Sequence, residues 1–245
     1  MRFRRNSDPL DDRPFWQQRG WQFSAAFFGL VLCAGLVTLV VGLPDANAQK
    51  NGAATGPLTA ALPPGMTRPA GCRTNDSNQQ PPSRPPADIT WQPMNGATIP
   101  RSATAGPTQK SGTILWCFAH TPMGAVMAAS IIPRHMSGAD WRVTSDQQLV
   151  AGIGRDVFEA RRASITTGTP QYTASSQAGF QVVAYSPQTT TIRLLIRQSA
   201  ADYVSADFTL DWDNGDWKLR PQTTGELYTP VTQVTALAGF VVWKV

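Results

Sequence analysis

Residues 203–219 read YVSADFTLDWDNGDWKL. In an extended chain Val204, Ala206, Phe208, Leu210 and Trp212 fall on one side, and Ser205, Asp207, Thr209 and Asp211 on the other. A period of two with one apolar side marks a half-buried strand. Asn214-Gly215 accepts the positive φ of a two-residue type I′ turn, so the chain reverses there. The turn sets Trp212 opposite Trp217 and Leu210 opposite Leu219. This stretch therefore predicts an antiparallel sheet whose apolar face needs a cover.

The segments before it supply both more sheet and the cover. Phe180, Val182 and Ala184 alternate up to a turn at Ser186-Pro187. Ile192, Leu194 and Ile196 alternate next, with Arg193 and Arg197 on the opposite side. Further upstream, GTILWCFAH (112–120) has the β-branched and aromatic content of a strand. Thr121-Pro122 then offers an N-cap with proline at the first helical position. The helix PMGAVMAASII is expected to stop at Pro133, with Gly124, Ala125, Ala128 and Ala129 as a thin side that lies close on the sheet. A second helical region spans SDQQLV (145–150) and, after Gly152 and Gly154, resumes at Arg155 with Val157 and Phe158 inward. WQPMNGATIPRSATAGP (91–107) is an irregular opening with Trp91 and Ile99 as plugs, and Thr229–Val245 is too apolar to hang free. Helices followed by long antiparallel strands give an α+β class. The order is similar to the cone-shaped NTF2-like fold, in which a curved antiparallel sheet packs on N-terminal helices; a cystatin-like α+β roll and a β-rich sandwich are the alternatives.

Outside this domain the chain has a different character. Phe23 to Leu43, FSAAFFGLVLCAGLVTLVVGL, carries no charge. As a helix it is about 30 Å long, the thickness of a bilayer's hydrocarbon core. Arg2, Arg4, Arg5, Arg13 and Arg19 precede it, whereas only Lys50 follows before Arg68. The positive-inside rule puts this end in the cytoplasm and the C-terminal mass outside. Ala46-Asn47-Ala48 offers an alternative, a signal-peptidase site before Gln49; the apolar run exceeds the ~7–15 residues of a signal peptide's core, and a retained anchor is the reading adopted. The organisation expected is a cytoplasmic tail (1–22), a transmembrane helix (23–43), a disordered Pro/Gly-rich linker (44–86) and an extracytoplasmic domain (87–245). The linker composition is too poor in aliphatic residues to offset the entropy of ordering.

The net charge of +5 belongs mostly to the tail and linker, since residues 87–245 hold 12 Lys and Arg against 11 Asp and Glu. A basic face for phosphates is not expected, and nucleic acid is not a partner on this reading. Of the three cysteines, Cys33 lies in the apolar run; Cys72 and Cys117 are read as one free and one buried thiol, with a bridge stapling linker to domain as the alternative. No His or Cys spacing suits a metal, and no cofactor motif is present.

Trp91-Gln92, Pro100-x-Ser102, Gly106-Pro107, Ala119-His120-Thr121-Pro122-x-Gly124-Ala125, Gly154-Arg155-Asp156, Gly179-Phe180 and Asp216-Trp217-Lys218-Leu219 resemble an uncharacterised family of actinobacterial exported proteins over about residues 88–245. Members similar to this chain look like cargo of integrative conjugative elements. The layout is also similar to the bitopic scaffold subunits of type IV secretion systems, which place an NTF2-like domain outside one N-terminal helix. The resemblance transfers no catalytic residue. NTF2-like enzymes use a His or Asp in their cone, which makes His120 the candidate pocket residue; a structural role near the helix start is the reading adopted. His135, after Pro133, is expected in solvent. Asp207 and Asp211 with Arg193 and Arg197 are expected as cross-strand pairs on the open face, the candidate interaction surface. The expected partners are the membrane, other envelope or secretion-machine proteins, and a second copy of the chain. The function expected is assembly. An envelope module binding wall polymer or a small ligand, and an NTF2-like enzyme, are the alternatives.

Overall fold

The computed structural model describes residues 56–58, 61–165 and 176–243. The tail, the apolar run 23–43 and the Ala46-Asn47-Ala48 site lie outside the described residues. Among those described, no helix is long and apolar enough to cross a membrane.

The elements in chain order are β1 (Thr90–Met94), β2 (Ala97–Arg101), β3 (Gln109–Ser111), β4 (Ile114–Trp116), α1 (Pro122–His135), α2 (Trp141–Gln148), α3 (Ile153–Ser164), β5 (Ser176–Tyr185), β6 (Thr189–Arg197), β7 (Tyr203–Asp213), β8 (Asp216–Leu219), β9 (Thr232–Val234) and β10 (Val241–Val242). The class is α+β. The main sheet runs β10-β5-β6-β7-β8, with β9 also on β7, and every pairing in it is antiparallel. Hairpins β1–β2 and β3–β4 form two small sheets of their own.

The β7–β8 hairpin has the register that its sequence predicts, with Trp212 opposite Trp217 and Leu210 opposite Leu219. Asn214 and Gly215 both take positive φ, 54° and 79°. Phe208, Leu210, Trp217 and Leu219 enter one core with Ile192, Leu194 and Phe180. Helix α1 covers that face. Its cap is Thr121, whose Oγ1 accepts the Gly124 N–H at 3.1 Å, and Ala125, Ala128 and Ala129 are fully buried. A Cβ on Gly124 would stand 1.9 Å from the Ala119 carbonyl oxygen, so the close approach requires glycine. The C-terminal arm packs back through β9 and β10, and Trp243 is buried against Phe180.

Several expectations need correction. Helix α1 passes through Pro133 to His135. A proline in the last turn removes one backbone donor, and the Met136 N–H still closes on the Ile132 carbonyl at 3.3 Å. Helix α2 begins at Trp141, because the buried indole, edge-on to Phe158, anchors an earlier turn. Phe158 and Val157 are half-buried, as α3 rests on α2. A bulge between Val182 and Ala184 breaks the alternation and turns Ala184 outward. The strand expected over 112–120 ends at Trp116, since Cys117 takes a left-handed φ of 69°.

The largest correction concerns the linker. Residues 56–58 and 61–86 are described, and Leu58, Arg68, Cys72, Asp76 and Gln79 among them contact the domain. Leu58 is fully buried in a second core with Cys72, Ile114, Trp116 and Cys117. Its carbonyl accepts Asn214 Nδ2 and Lys218 Nζ, both at 3.2 Å. Cys72 and Cys117 form a disulfide with Cα atoms 5.4 Å apart, in place of the free and buried thiols expected. Closing a loop of 45 residues in sequence lowers the entropy of the unfolded chain, which stabilises this attachment by about 4 kcal/mol in the loop-entropy account. Tertiary partners thus order a segment whose own composition does not.

The segment and the hairpin meet at the turn. A Cβ at Gly215 would lie 2.7 Å from both Arg68 Cα and the Thr67 carbonyl oxygen. Gly215→Val therefore suffers both a disfavoured φ and a backbone clash, and loses more than ~1 kcal/mol of stability by denaturant unfolding. An unchanged unfolding midpoint would contradict this docking.

Candidate functional site

The open face of the sheet holds the ion pairs expected from the alternation, with one exception. Arg193 stands opposite Asp207 and grips it with two parallel bonds, Nε to Oδ1 at 2.6 Å and Nη2 to Oδ2 at 2.8 Å. This fork geometry is the strong form of the pair. Asp211 does not meet Arg197. It accepts Thr189 Oγ1 at 2.8 Å and Arg220 Nε at 2.6 Å. Arg197 sits opposite Tyr203 at the far end of the ladder, while Asp211 sits opposite Thr189 at the near end, so strand length separates them. Beside this row runs the arm that follows β8. Its Thr229 exchanges bonds with Asp207, N–H to carbonyl and N–H to Oγ1, both at 3.0 Å. The arm leaves Tyr228 and Val231 exposed, at 44% and 53%.

His120 lies elsewhere, at the junction of α1 with the segment 68–79. Its ring stacks on Trp212 at 3.7 Å between centroids and 14° between planes. Its Nε2 is 2.6 Å from the Pro187 carbonyl oxygen, which makes that nitrogen a donor. The His120 N–H is held by Asp76 Oδ1 at 2.8 Å, and its carbonyl accepts Gln79 Nε2 at 2.8 Å. Arg68 lies 4.8 Å from the Trp212 ring centroid and donates to the Phe118 carbonyl at 2.7 Å. The backbone of His120 thus holds segment 68–79, while its ring rests on the sheet at Trp212 and Pro187. Arg68, Asp76 and Gln79 were hidden in the sequence because they belong to a stretch that reads as linker. The lone signal was Cys72 among them.

The most deeply buried carboxylate among the described residues carries no sequence signal of its burial. Asp216 is completely buried. Its carboxylate accepts the N–H groups of Cys117 at 2.7 Å, Phe118 at 2.9 Å and Trp217 at 3.0 Å. In the sequence it reads as a turn residue flanking Asn-Gly. Trp217 Nε1 donates to the Ala119 carbonyl at 3.0 Å and secures the same loop. His135, expected in solvent, is 5% exposed because α1 continues past Pro133 and carries it inward. Among the described residues, no group of three or more His, Cys, Asp or Glu side chains is placed to hold a metal ion.

Residues 52–242 match the family described as "Domain of unknown function (DUF8175)". The chain belongs to that family. Its extent includes the described residues 56–58 and 61–86 and reaches the C-terminal arm. No curated protein and no solved structure matches the chain.

Two buried groups make opposed contributions to stability. Burial pushes the Asp216 carboxyl up to about 6, against the pull of its three amide donors and Arg68. Its stabilising contribution is full below the unfolded value of 3.8 and is lost as pH rises to about 6. Burial alone lowers His135 from 6.5 to about 4, so its contribution is full above 6.5 and is lost as pH falls to about 4. Each shift corresponds to about 3 kcal/mol, and the two slopes oppose one another over nearly the same window. Asp216→Asn should therefore gain stability steadily from pH 4 to 6.5, as denaturant unfolding at each pH would show. His135→Gln should lose stability from pH 4 to 6. Parallel profiles for the two variants would contradict these assignments.

Proposed function

We propose that this chain is a membrane-anchored, extracytoplasmic assembly subunit of a conjugation machine of the type IV secretion kind, with an NTF2-like domain that holds partner proteins. The observation that carries the holding role is the surface where the Arg193–Asp207 fork lies beside the arm bearing exposed Tyr228 and Val231. Aromatic and aliphatic anchors next to an ordered charged pair have the composition of a protein interface. The Cys72–Cys117 bridge supports export, because structural disulfides belong to oxidising compartments. The Arg-rich tail before an uncharged run of bilayer length supports the anchor. The element order and the family resemblance support the NTF2-like and conjugation readings.

Exchanging the pair, Arg193→Asp with Asp207→Arg, keeps the attraction within the domain and reverses the pattern offered to a partner. That variant and Tyr228→Ser with Val231→Ser should fold normally and recover several-fold less partner in a crosslinking pull-down from native envelopes. A conjugation assay run beside it should fall in step. His120→Ala, once folded, should leave both outputs in place. Undiminished partner recovery from both surface variants overturns the holding role; loss of output in His120→Ala with unchanged recovery puts an enzyme in its place.

A further inference from the structure

A cleft of about 270 Å³ opens between the β1–β2 hairpin, the β3–β4 turn and the region from the end of α1 into α2. Its inner lining includes Ile99, Leu115, His135 and Thr144, each 5% exposed or less. Two of these are aliphatic and two can hydrogen-bond. Thr144 Oγ1 is already donated to the Asp140 carbonyl at 3.2 Å. His135 Nε2 is different: it is buried and has no hydrogen-bond partner among the described residues. Leaving a buried polar atom in that state is unfavourable, and a ligand bonding to it would relieve the cost.

The charges around the cleft narrow the class of ligand. Arg101 and Lys110 line it, and Asp140 is the opposing acid. The Arg101 guanidinium is fixed by the Pro107 carbonyl at 2.9 Å, while Lys110 is exposed. Burial keeps His135 neutral near pH 7, so the charged side chains lining the cleft sum to +1, two cations against one carboxylate. That balance favours an anion over a cation, and Asp140 disfavours a second negative charge. The volume lies just below the ~300–1,000 Å³ of drug-sized sites, which suits a small molecule.

We propose that this cleft binds a small aliphatic hydroxycarboxylate monoanion, its hydroxyl bonded to His135, its carbon stem against Ile99 and Leu115, and its carboxylate facing Lys110 and Arg101. A hydroxyl both donates and accepts, so it matches either tautomer of the imidazole. The site is independent of the Arg193–Asp207 surface and rests on no part of the assembly reading.

The chain has two histidines, so histidine-selective isotope labelling of the full chain in detergent micelles gives two sets of ring signals. His120→Gln assigns them without altering the cleft. Lactate should shift the His135 signals saturably and leave those of His120 in place. Propionate, which lacks the hydroxyl, and 1,2-propanediol, which lacks the carboxylate, should each bind about tenfold more weakly or less, the loss of one hydrogen bond or charge contact. Lys110→Ala, on the exposed rim, should weaken lactate several-fold with unchanged unfolding. Unmoved His135 signals, or equal shifts from all three probes, overturn the proposal.

Discussion

A carboxylate buried beside a hairpin turn is the constraint on which the rest of this fold depends. Removing a carboxylate from water costs several kcal/mol even after relaxation, and it is tolerated only when its oxygens are well served. Asp216 is served by three backbone donors, two of them from residues about a hundred positions earlier in sequence. Those donors, the successive N–H groups of Cys117 and Phe118, are diverted from strand pairing. That diversion ends β4 at Trp116, and Cys117 takes its left-handed conformation at the same point. The same residue carries the sulfur that bonds Cys72.

From this point the attachment of the N-terminal segment follows. The disulfide brings Cys72 to the sheet, Arg68 lies over Trp212, and Asp76 and Gln79 hold the backbone of His120. Leu58 fills a small apolar core behind the bridge. The hairpin turn contributes from the other side, through Asn214 and Lys218 on the Leu58 carbonyl and the absence of a side chain at Gly215. The segment that composition assigns to a tether therefore supplies residues 56–58 and 61–86 to the domain, in keeping with a family match that begins at residue 52.

Legibility in the sequence tracked the range of the interaction involved. The β7–β8 register was readable because alternation and an Asn-Gly turn are local signals, and the Arg193–Asp207 pair came with it. The Thr121 cap and the small-residue side of α1 were readable for the same reason. The Cys72–Cys117 bond, the burial of Asp216 and the role of Arg68 depend on contacts between segments far apart in the chain, which no local pattern encodes. The sequence misplaces His135 because Pro133 reads as a stop, whereas proline in a last turn costs only one donor. Arg197 was misassigned because alternation gives the side of a sheet but not the position along it.

Hydrogen exchange of the full chain, read by mass spectrometry on peptides covering residues 68–80, tests the central claim most directly. A segment fastened by the disulfide, by Asp76 and by the hairpin turn is predicted to exchange well below the free-chain rate at the Cys72 N–H, whose turn bond to the Pro69 carbonyl lies beside the bridge. Reduction of the bridge should speed that segment before it speeds the sheet. Exchange at the free-chain rate throughout 68–80 in the oxidised protein would contradict the account and return the segment to the role of a tether.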